Sequence, residues 1–212
     1  MRRDNNEEQR FLNDVATHEM IVIRDDGVNR HIRFKRPGTS CMHFDLITWP
    51  GYLCYTGDMG TYVFRRLEDM FEFFRTDRND YNHNKNGISI NPGYWGEKLQ
   101  AVDKGSGFMQ YSQDKFHSIV NEIIEEHIVS DELSDDEAED LREEVLIEVL
   151  AHDETEHDAY EAARDFEHNG FTFSDFWEHD LKDYSFRFIW CCYAIAWGIK
   201  KYDEAKAEKE AA

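Results

Sequence analysis

The sequence is short of basic residues. Its 212 residues include 24 Lys and Arg against 45 Asp and Glu, which gives a formal net charge of −21 at pH 7. Nucleic acid and anionic membranes repel such a chain at ordinary salt, which argues against a general DNA-coating role. Aromatic residues are not scarce: 15 Phe, 10 Tyr and 5 Trp are enough to build a core, so wholesale disorder is excluded.

Long apolar runs are also missing. The most apolar segment, residues 186–199, is about 14 residues long and contains Arg187, whereas a membrane-spanning helix needs roughly 20 apolar residues. We interpret this segment as a buried helix. No apolar stretch follows Arg2 and Arg3, so the start does not match a secretory signal, and we expect a cytoplasmic protein that does not bind membranes.

The chain has few cysteines, and their spacing does not suit a metal site. They are Cys41, Cys54, Cys191 and Cys192, with no Cys-x-x-Cys pair. Adjacent cysteines cannot readily bridge to each other. We therefore expect free, mostly buried thiols and no zinc or other cofactor.

The acidic excess lies in the second half. Residues 1–100 contain 15 acids and 14 bases, whereas residues 101–212 contain 30 acids and 10 bases. Within residues 114–183 there are 25 acids and only four bases. The two halves therefore have different surfaces, and the function has to account for the acidic one.

The first half has the pattern of strands and turns. Residues 20–24 and 29–35 flank the turn Asp25-Asp26-Gly27 and predict a hairpin. The apolar runs 42–49 and 52–55 are separated by Pro50-Gly51 and predict a second hairpin or a meander. We expect these segments to form a small antiparallel sheet.

A helix is predicted to cover this sheet. Apolar residues recur at three- and four-residue steps from Val63 to Phe74, which indicates an amphipathic helix over residues 62–75. Residues 79–107 are rich in Asn and Gly, so we expect a loop there with at most a short strand at residues 88–90.

The second half has the periodicity of helices. Apolar residues fall on one helical face over residues 116–128. Ser134-Asp135-Asp136-Glu137 is a capping box, which predicts a helix over residues 135–152, and the helical pattern continues over 153–167. Residues 180–208 predict a largely buried helix at the centre of this half.

The predicted fold class is therefore α+β. A small antiparallel sheet with one covering helix occupies residues 1–110, and an acidic helical region occupies residues 111–212. The two regions form either two domains or one continuous domain.

Seven acids on the predicted helix 135–152 form the main candidate binding surface. Stepping by three or four residues gives one stripe of Glu137, Asp140, Glu144 and Glu148 beside a second of Asp136, Glu139 and Glu143. Carboxylates four residues apart on a helix stand about 6 Å from each other, comparable with the spacing of phosphates along a nucleic-acid strand. The stripes could therefore imitate a phosphate backbone, or they could be an ordinary solvated helix face.

A metal site is a second candidate. Glu154 and His157 form a Glu-x-x-His pair, and Asp165 and His168 form an Asp-x-x-His pair, the spacing that ferritin-like di-metal bundles use. Because neighbouring residues are strongly acidic and solvated, and such pairs often arise by chance in a chain with 10 His and 45 acids, chance pairing is the simpler explanation, and we assign no metal.

The turn Gly57-Asp58-Met59-Gly60 precedes the predicted helix 62–75. It could cradle a phosphate, but no Lys-Ser/Thr follows it and Asp58 would repel the anion, so a tight strand-to-helix turn is the simpler interpretation. A nucleophile pair of Cys54 with His31 or His43 is not required by the spacing.

Basic and aromatic residues in the first half form a third candidate. The cations are Arg24, Arg30, His31, Arg33, Lys35, Arg36, Arg65, Arg66, Arg75 and Arg78. With Trp49, Tyr52 or Trp95 nearby they could bind a nucleic-acid strand or an acidic protein. Because this half is not net basic, we favour pairing with the protein's own acids or with another subunit.

Four segments of the chain resemble a group of uncharacterised proteins encoded by bacteriophages and prophages. They are residues 11–14 (Phe-Leu-Asn-Asp), 48–53 (Thr-Trp-Pro-Gly-Tyr-Leu), 57–64 (Gly-Asp-Met-Gly-Thr-Tyr-Val-Phe) and 69–74 (Asp-Met-Phe-Glu-Phe-Phe). The similarity extends more loosely into residues 186–198. It implies a phage accessory product in a bacterial cytoplasm and no catalytic residue.

These features favour a non-enzymatic interaction protein. We predict a host protein complex with a basic nucleic-acid groove as its partner, and inhibition of a CRISPR or restriction complex by DNA mimicry as its role. Two alternatives stay open: a metal-dependent phage enzyme that uses the Glu/His cluster at residues 148–168, and a nucleic-acid-binding module that uses the basic hairpin at residues 24–36. The sequence does not decide the oligomeric state.

Overall fold

The computed structural model of the protein describes residues 2–76, 87–105 and 107–211. These residues form an α+β fold, as predicted, with the main sheet in the N-terminal half and most helices after residue 112. The chain divides into two compact units. We call Met1–Phe108 with Tyr184–Ala212 the sheet unit, and Met109–Asp183 the acidic unit.

The sheet unit contains a six-stranded antiparallel sheet whose strands are neighbours in chain order. The strands are β1 (Glu19–Asp26), β2 (Asn29–Lys35), β3 (Phe44–Trp49), β4 (Tyr52–Gly57), β5 (Gly60–Arg65) and β6 (Leu99–Val102). Both predicted hairpins are confirmed. Gly27, at φ 59°, and Gly51, at φ 82°, supply the left-handed backbone that their turns require.

One face of the sheet is buried. Ile32 and Phe34 of β2, like Leu53 and Tyr55 of β4, are fully buried, while the residues between them are half-buried. This two-residue alternation is the pattern of a sheet with its core on one side.

The helix predicted over residues 62–75 is wrong in its first part. That part is strand β5, and helix α2 spans only Met70–Thr76. Tyr62 and Phe64 are fully buried at a spacing of two residues, which is the period of a strand. The helical spacing that begins at Val63 is therefore coincidental before residue 70.

The prediction of a loop over residues 79–107, with at most a short strand at residues 88–90, is wrong in its later part, which contains a helix and strand β6. No strand forms at residues 88–90. That segment has no regular structure and is followed by a short helix, α3 (Pro92–Gly96), before β6. Asn91 caps α3, since its side-chain oxygen accepts a hydrogen bond from the Tyr94 N–H at 3.1 Å. Residues 79–86 of the predicted loop lie outside the described residues.

Two long helices, α1 (Arg2–Val15) and α7 (Phe186–Glu210), complete the core of the sheet unit. The buried helix predicted at residues 186–199 is the first part of α7. Trp190 of α7 packs edge-on against Phe44, with ring centroids 5.7 Å apart, and against Phe11 of α1 at 5.0 Å. The prediction that this helix lies at the centre of the helical half is wrong, because its side chains belong to the core of the sheet unit.

Gly198 determines how closely α7 lies on the sheet. A Cβ atom at this position would meet Leu46 Cδ1 at 2.9 Å and Phe34 Cε2 at 3.0 Å. Both of those side chains are fully buried and have little room to move. Any larger residue would therefore force the helix and the sheet to shift.

The acidic unit contains helices and short strands. They are β7 (Met109–Tyr111), α4 (Gln113–Ser130), α5 (Asp135–Val145), a π-helical turn (Leu146–Leu150), α6 (Glu156–Asp165), β8 (Glu167–His168), β9 (Phe171–Thr172), a 3-10 turn (Phe176–Glu178) and β10 (Lys182–Tyr184). The three predicted helices are confirmed, although the second changes to a π-helical turn and the third starts later than expected. Phe116, Leu141 and Phe176 are among the residues of a separate hydrophobic core.

The acidic unit is an insertion between the two segments of the sheet unit. Within the sheet unit, the Ser185 N–H donates to Phe108 O at 2.9 Å and its hydroxyl donates to Gly107 O at 2.8 Å. Within the acidic unit, the Ser112 N–H donates to Leu181 O at 2.9 Å. The chain therefore leaves and rejoins the sheet unit at hydrogen-bonded positions.

Across the described ranges, no helix is both long and apolar enough to cross a membrane.

We expect the sheet unit to fold without the acidic unit. Replacing residues 109–183 by a short Gly/Ser linker should leave a protein that unfolds cooperatively on heating, measured by circular dichroism, because Phe108 and Ser185 already lie side by side. As the control, a chain ending at residue 110 keeps the strands but lacks α7, and should show no cooperative transition. The opposite result for either protein would contradict this division of the fold.

Candidate functional site

The charge is divided between the two units even more sharply than between the halves of the sequence. The acidic unit has 25 acids and four bases, while the sheet unit has 20 of each. The formal net charge of the acidic unit is therefore −21, equal to that of the whole chain, and the sheet unit is neutral. A partner that recognises negative charge would therefore recognise the acidic unit.

Helix α5 presents the predicted acidic surface. The capping box predicted at its start is confirmed: Ser134 accepts a hydrogen bond from the Glu137 N–H, and the Glu137 carboxylate accepts one from the Ser134 N–H at 2.9 Å. Ala138, Leu141 and Val145 are buried on the opposite side of the helix. Since the apolar face is buried, the acidic face lies in solvent.

The seven predicted partner-binding acids lie on this helix and the turn after it. Asp136, Glu137, Glu139, Asp140, Glu143 and Glu148 are exposed, and Glu144 is half-buried. Among the described residues, Asp136 and Glu143 form no ion pair, and Glu139 acts only on Arg142 through longer-range attraction. These three carboxylates are therefore available to a partner.

Other acids of the stripe have partners within the acidic unit. Hydrogen bonds from the Ser134 hydroxyl and N–H hold the pKa of Glu137 below its usual range. Asp140 Oδ2 lies 2.9 Å from His168 Nε2. Arg142 donates two hydrogen bonds to Glu125 of α4, at 2.7 and 2.9 Å, so the helix's own cation is neutralised by a different acid.

The π-helical turn after Val145 breaks the stripe. An i→i+5 turn has more residues per turn than an α-helix, so Glu148 does not continue the row of Asp140 and Glu144. Instead, Glu148 lines a groove of about 670 Å³ together with His152, Glu154, Asp158, Glu161 and Asp165. The predicted seven-residue surface is therefore two surfaces: the α5 face and this groove.

The predicted metal residues are dispersed. His157 is 77% exposed and lies 3.5 Å from Glu161, whereas His168 pairs with Asp140. Asp165 accepts a hydrogen bond from Arg164 at 2.8 Å. Only Glu154 and Asp165 of the four candidates line the acidic groove. Within the part of the chain that the structure describes, no group of three or more His, Cys, Asp or Glu side chains is arranged to hold a metal.

The cations of the first hairpin bind acids of the sheet unit itself. Arg33 donates two hydrogen bonds to Asp45, both at 2.8 Å, and His31 Nε2 lies 2.7 Å from the same carboxylate. Arg30 likewise donates to Asp69 at 2.8 and 2.9 Å. Burial alone would raise the pKa of Asp45, but the hydrogen bonds from Arg33 and His31 outweigh it and hold this pKa below its ordinary value.

The remaining candidate cations of the sheet unit differ in their contacts. Arg24 pairs with Asp26 at 3.1 Å, and Arg75 pairs with Asp203 at 2.6 Å. Arg65 lies over the Tyr52 ring, which stacks on Trp49 with centroids 5.2 Å apart. Arg78 lies outside the described residues.

The turn at residues 57–60 joins two strands, so its interpretation as a strand-to-helix turn is wrong. Asp58 accepts a hydrogen bond from the Met42 N–H at 2.6 Å and pairs with His43, which fixes the loop before β3. His43 and His31 thus pair with carboxylates, and burial raises the pKa of the Cys54 thiol. No thiolate–imidazole pair forms among these described side chains.

The cysteines are free thiols, as predicted. Cys191 and Cys192 are buried, Cys54 is half-buried and Cys41 is exposed.

A second groove, of about 500 Å³, was not predicted. It is lined by α6 and by residues 172–177, and Trp177 at its mouth is 70% exposed. Residues 172–177 are too few and too irregular to show a helical or strand period, so periodicity does not predict this groove. The one available signal is the aromatic content of the segment, since Phe171, Phe173, Phe176 and Trp177 fall within seven residues.

Comparison with known proteins adds no assignment: no protein-family model, curated protein or solved structure matches the chain.

Two substitutions on α5 should distinguish an acid that stabilises the helix from one that does not. Glu137→Ala removes the carboxylate that accepts hydrogen bonds from Ser134 in the capping box and should lower the melting temperature. Glu143→Ala removes the same charge from an exposed, unpaired position and should leave the melting temperature unchanged or raise it slightly. Thermal unfolding at low salt measures the difference. Equal effects of the two changes would show that the Glu137 carboxylate does not stabilise the start of α5.

Asp45 should make the sheet unit sensitive to acid. Because its folded pKa lies below its unfolded value, it stabilises the fold above about pH 4 and loses that contribution as the pH falls through the folded pKa. Asp45→Asn should cost about 2 kcal/mol at pH 7, since charged hydrogen bonds are lost, and less at lower pH. Urea unfolding from pH 7 to pH 3 tests this, with exposed Glu68→Gln as the control. A difference independent of pH would contradict it.

Proposed function

We propose that the protein is a non-enzymatic interaction protein whose acidic unit occupies the basic nucleic-acid groove of a partner protein. The observation that carries the proposal is the segregation of charge: −21 in the acidic unit against neutrality in the sheet unit. An acidic protein that is merely soluble has no need to confine its excess to one unit.

The surface of α5 supports this role physically. Asp136, Glu139 and Glu143 are exposed on consecutive turns, at separations near those of backbone phosphates. Like charges three or four residues apart each cost a few tenths of a kcal/mol. A cationic groove would relieve this repulsion on binding, which gives the partner a favourable electrostatic contribution.

The more specific form of the proposal is a phage accessory protein that inhibits a host CRISPR or restriction complex in the bacterial cytoplasm. Its support is the resemblance of residues 11–14, 48–53, 57–64 and 69–74 to phage-encoded proteins. The charge argument is independent of that resemblance. The alternative nucleic-acid-binding role of the hairpin at residues 24–36 has less support, because Arg30 and Arg33 are engaged by Asp69 and Asp45.

The partner can be isolated by pull-down from a bacterial lysate, with duplex DNA as the competing ligand. Binding to that partner should weaken steeply between about 50 and 200 mM salt, as phosphate contacts do. The triple variant Asp136→Asn, Glu139→Gln, Glu143→Gln should bind more weakly and show a shallower salt dependence. Fluorescence anisotropy or calorimetry supplies the affinities.

The matched control removes three exposed acids from the sheet unit: Glu68→Gln, Glu208→Gln, Glu210→Gln. It makes the same change in net charge and should leave the affinity unchanged. An affinity that does not change across the salt range, or that falls equally in both triple variants, would contradict the mimicry proposal.

A further inference from the structure

The groove beside Trp177 combines an exposed aromatic side chain with fixed aromatic walls. Trp177 is 70% exposed, against 38% for Trp49. Behind it, Phe176 is 2% exposed and packs edge-on against Phe173 at 5.7 Å and Tyr160 at 6.1 Å. The Tyr160 hydroxyl donates to His179 O at 2.6 Å. The walls are therefore held in place, while the indole is free to accept a ligand.

The charges around this groove favour a cation. Its lining includes Glu161 and Asp175. The backbone carbonyl of Asp175 accepts a hydrogen bond from the Glu178 N–H at 2.9 Å, but its carboxylate forms no hydrogen bond or ion pair among the described residues. Arg164, the basic residue of the lining, already donates to Asp165 at 2.8 and 3.1 Å and to Glu161 at 3.4 Å. The unit around it has a net charge of −21, so an anionic ligand would be repelled.

The combination of an aromatic face with a carboxylate distinguishes between cations. A guanidinium group is planar, stacks on an aromatic face and can donate paired hydrogen bonds to a carboxylate. An ammonium group is a compact, strongly hydrated point charge that uses the aromatic face less well. Arginine is also enriched at the energetic centres of protein interfaces, as is tryptophan.

We propose that the Trp177 groove binds an arginine side chain of a basic partner, with the guanidinium stacked on Trp177 and paired with Asp175. This inference rests on the proposed function and deepens it: the partner is recognised by an arginine in one position as well as by the diffuse charge of α5. Binding then has a component that salt screens less than the contacts of α5, because the stacked contact is partly desolvated.

Hexaarginine and hexalysine peptides test the proposal on the full chain. Their charges are equal, so the acidic surface alone cannot distinguish them. We expect the full chain to bind hexaarginine about fivefold more tightly, measured by calorimetry at ~150 mM salt, which is the size of one exposed cation–π contact. Trp177→Ala should abolish this preference, and Trp177→Phe should keep part of it.

Trp49→Ala, at an exposed tryptophan of the neutral sheet unit, is the control and should keep the full preference. Thermal unfolding verifies that Trp177→Ala is folded, as expected for a side chain that is 70% exposed. Equal affinity for the two peptides, or a preference that survives in Trp177→Ala, would overturn the proposal. Self-association through Trp177 without peptide preference, detected by analytical ultracentrifugation, would overturn it as well.

The α5 triple variant keeps this test distinct from that of the proposed function. It should weaken both peptides to a similar extent and leave their ratio unchanged. If the triple variant has no effect on either peptide while Trp177→Ala abolishes the preference, the arginine site stands and the role of α5 fails. If only the triple variant has an effect, the arginine site fails.

Discussion

The packing of α7 on the inner face of the sheet is the contact on which the rest of the structure depends. Trp190 fills the space between Phe11 and Phe44, and Gly198 lets the helix approach Phe34 and Leu46 more closely than any other residue would. Without α7 the buried face of the meander would lose the Trp190 and Trp197 rings that pack on Phe44 and Phe34. The strands and α7 belong to one unit, and the acidic unit lies between them in the chain. The acidic unit is therefore an insertion, and the sheet-unit residues that flank it, Phe108 and Ser185, are hydrogen-bonded to each other.

The two units handle charge in opposite ways. In the sheet unit, Arg30 and Arg33 each form two hydrogen bonds with one aspartate. These pairs neutralise opposite charges within the unit and hold the side chains in place. In the acidic unit, acids that stabilise the fold and acids without a partner lie on the same helix. Glu137 caps α5 and complements the positive end of its dipole, whereas Glu143 has no partner among the described residues. The number of acids therefore overstates how many are free for binding.

Local signals predicted local structure well. Gly27, Pro50-Gly51 and the Ser134 capping box each specify a backbone conformation, and each turn or helix start was found where predicted. Two kinds of error have physical causes. The strand β5 was predicted as helix because chance spacing satisfied both periods, and α7 was grouped with the acidic helices because its packing partners lie far away in sequence. The α5 surface was predictable from charge spacing, but the Trp177 groove was not, since tertiary contacts alone assemble it.

The insertion also has a consequence for the order of synthesis. The six strands leave the ribosome well before α7, because 83 residues separate β6 from α7, or roughly 4 to 17 s at typical rates of elongation. During that interval the apolar face of the sheet waits for its helix while the acidic unit, which has a core of its own, can fold. A nascent chain would then expose apolar sheet surface while it also carries a strongly anionic unit, which repels neighbouring chains on the same polysome. The unit that we propose binds a partner in the mature protein would thus protect the other unit from aggregation while it is being made.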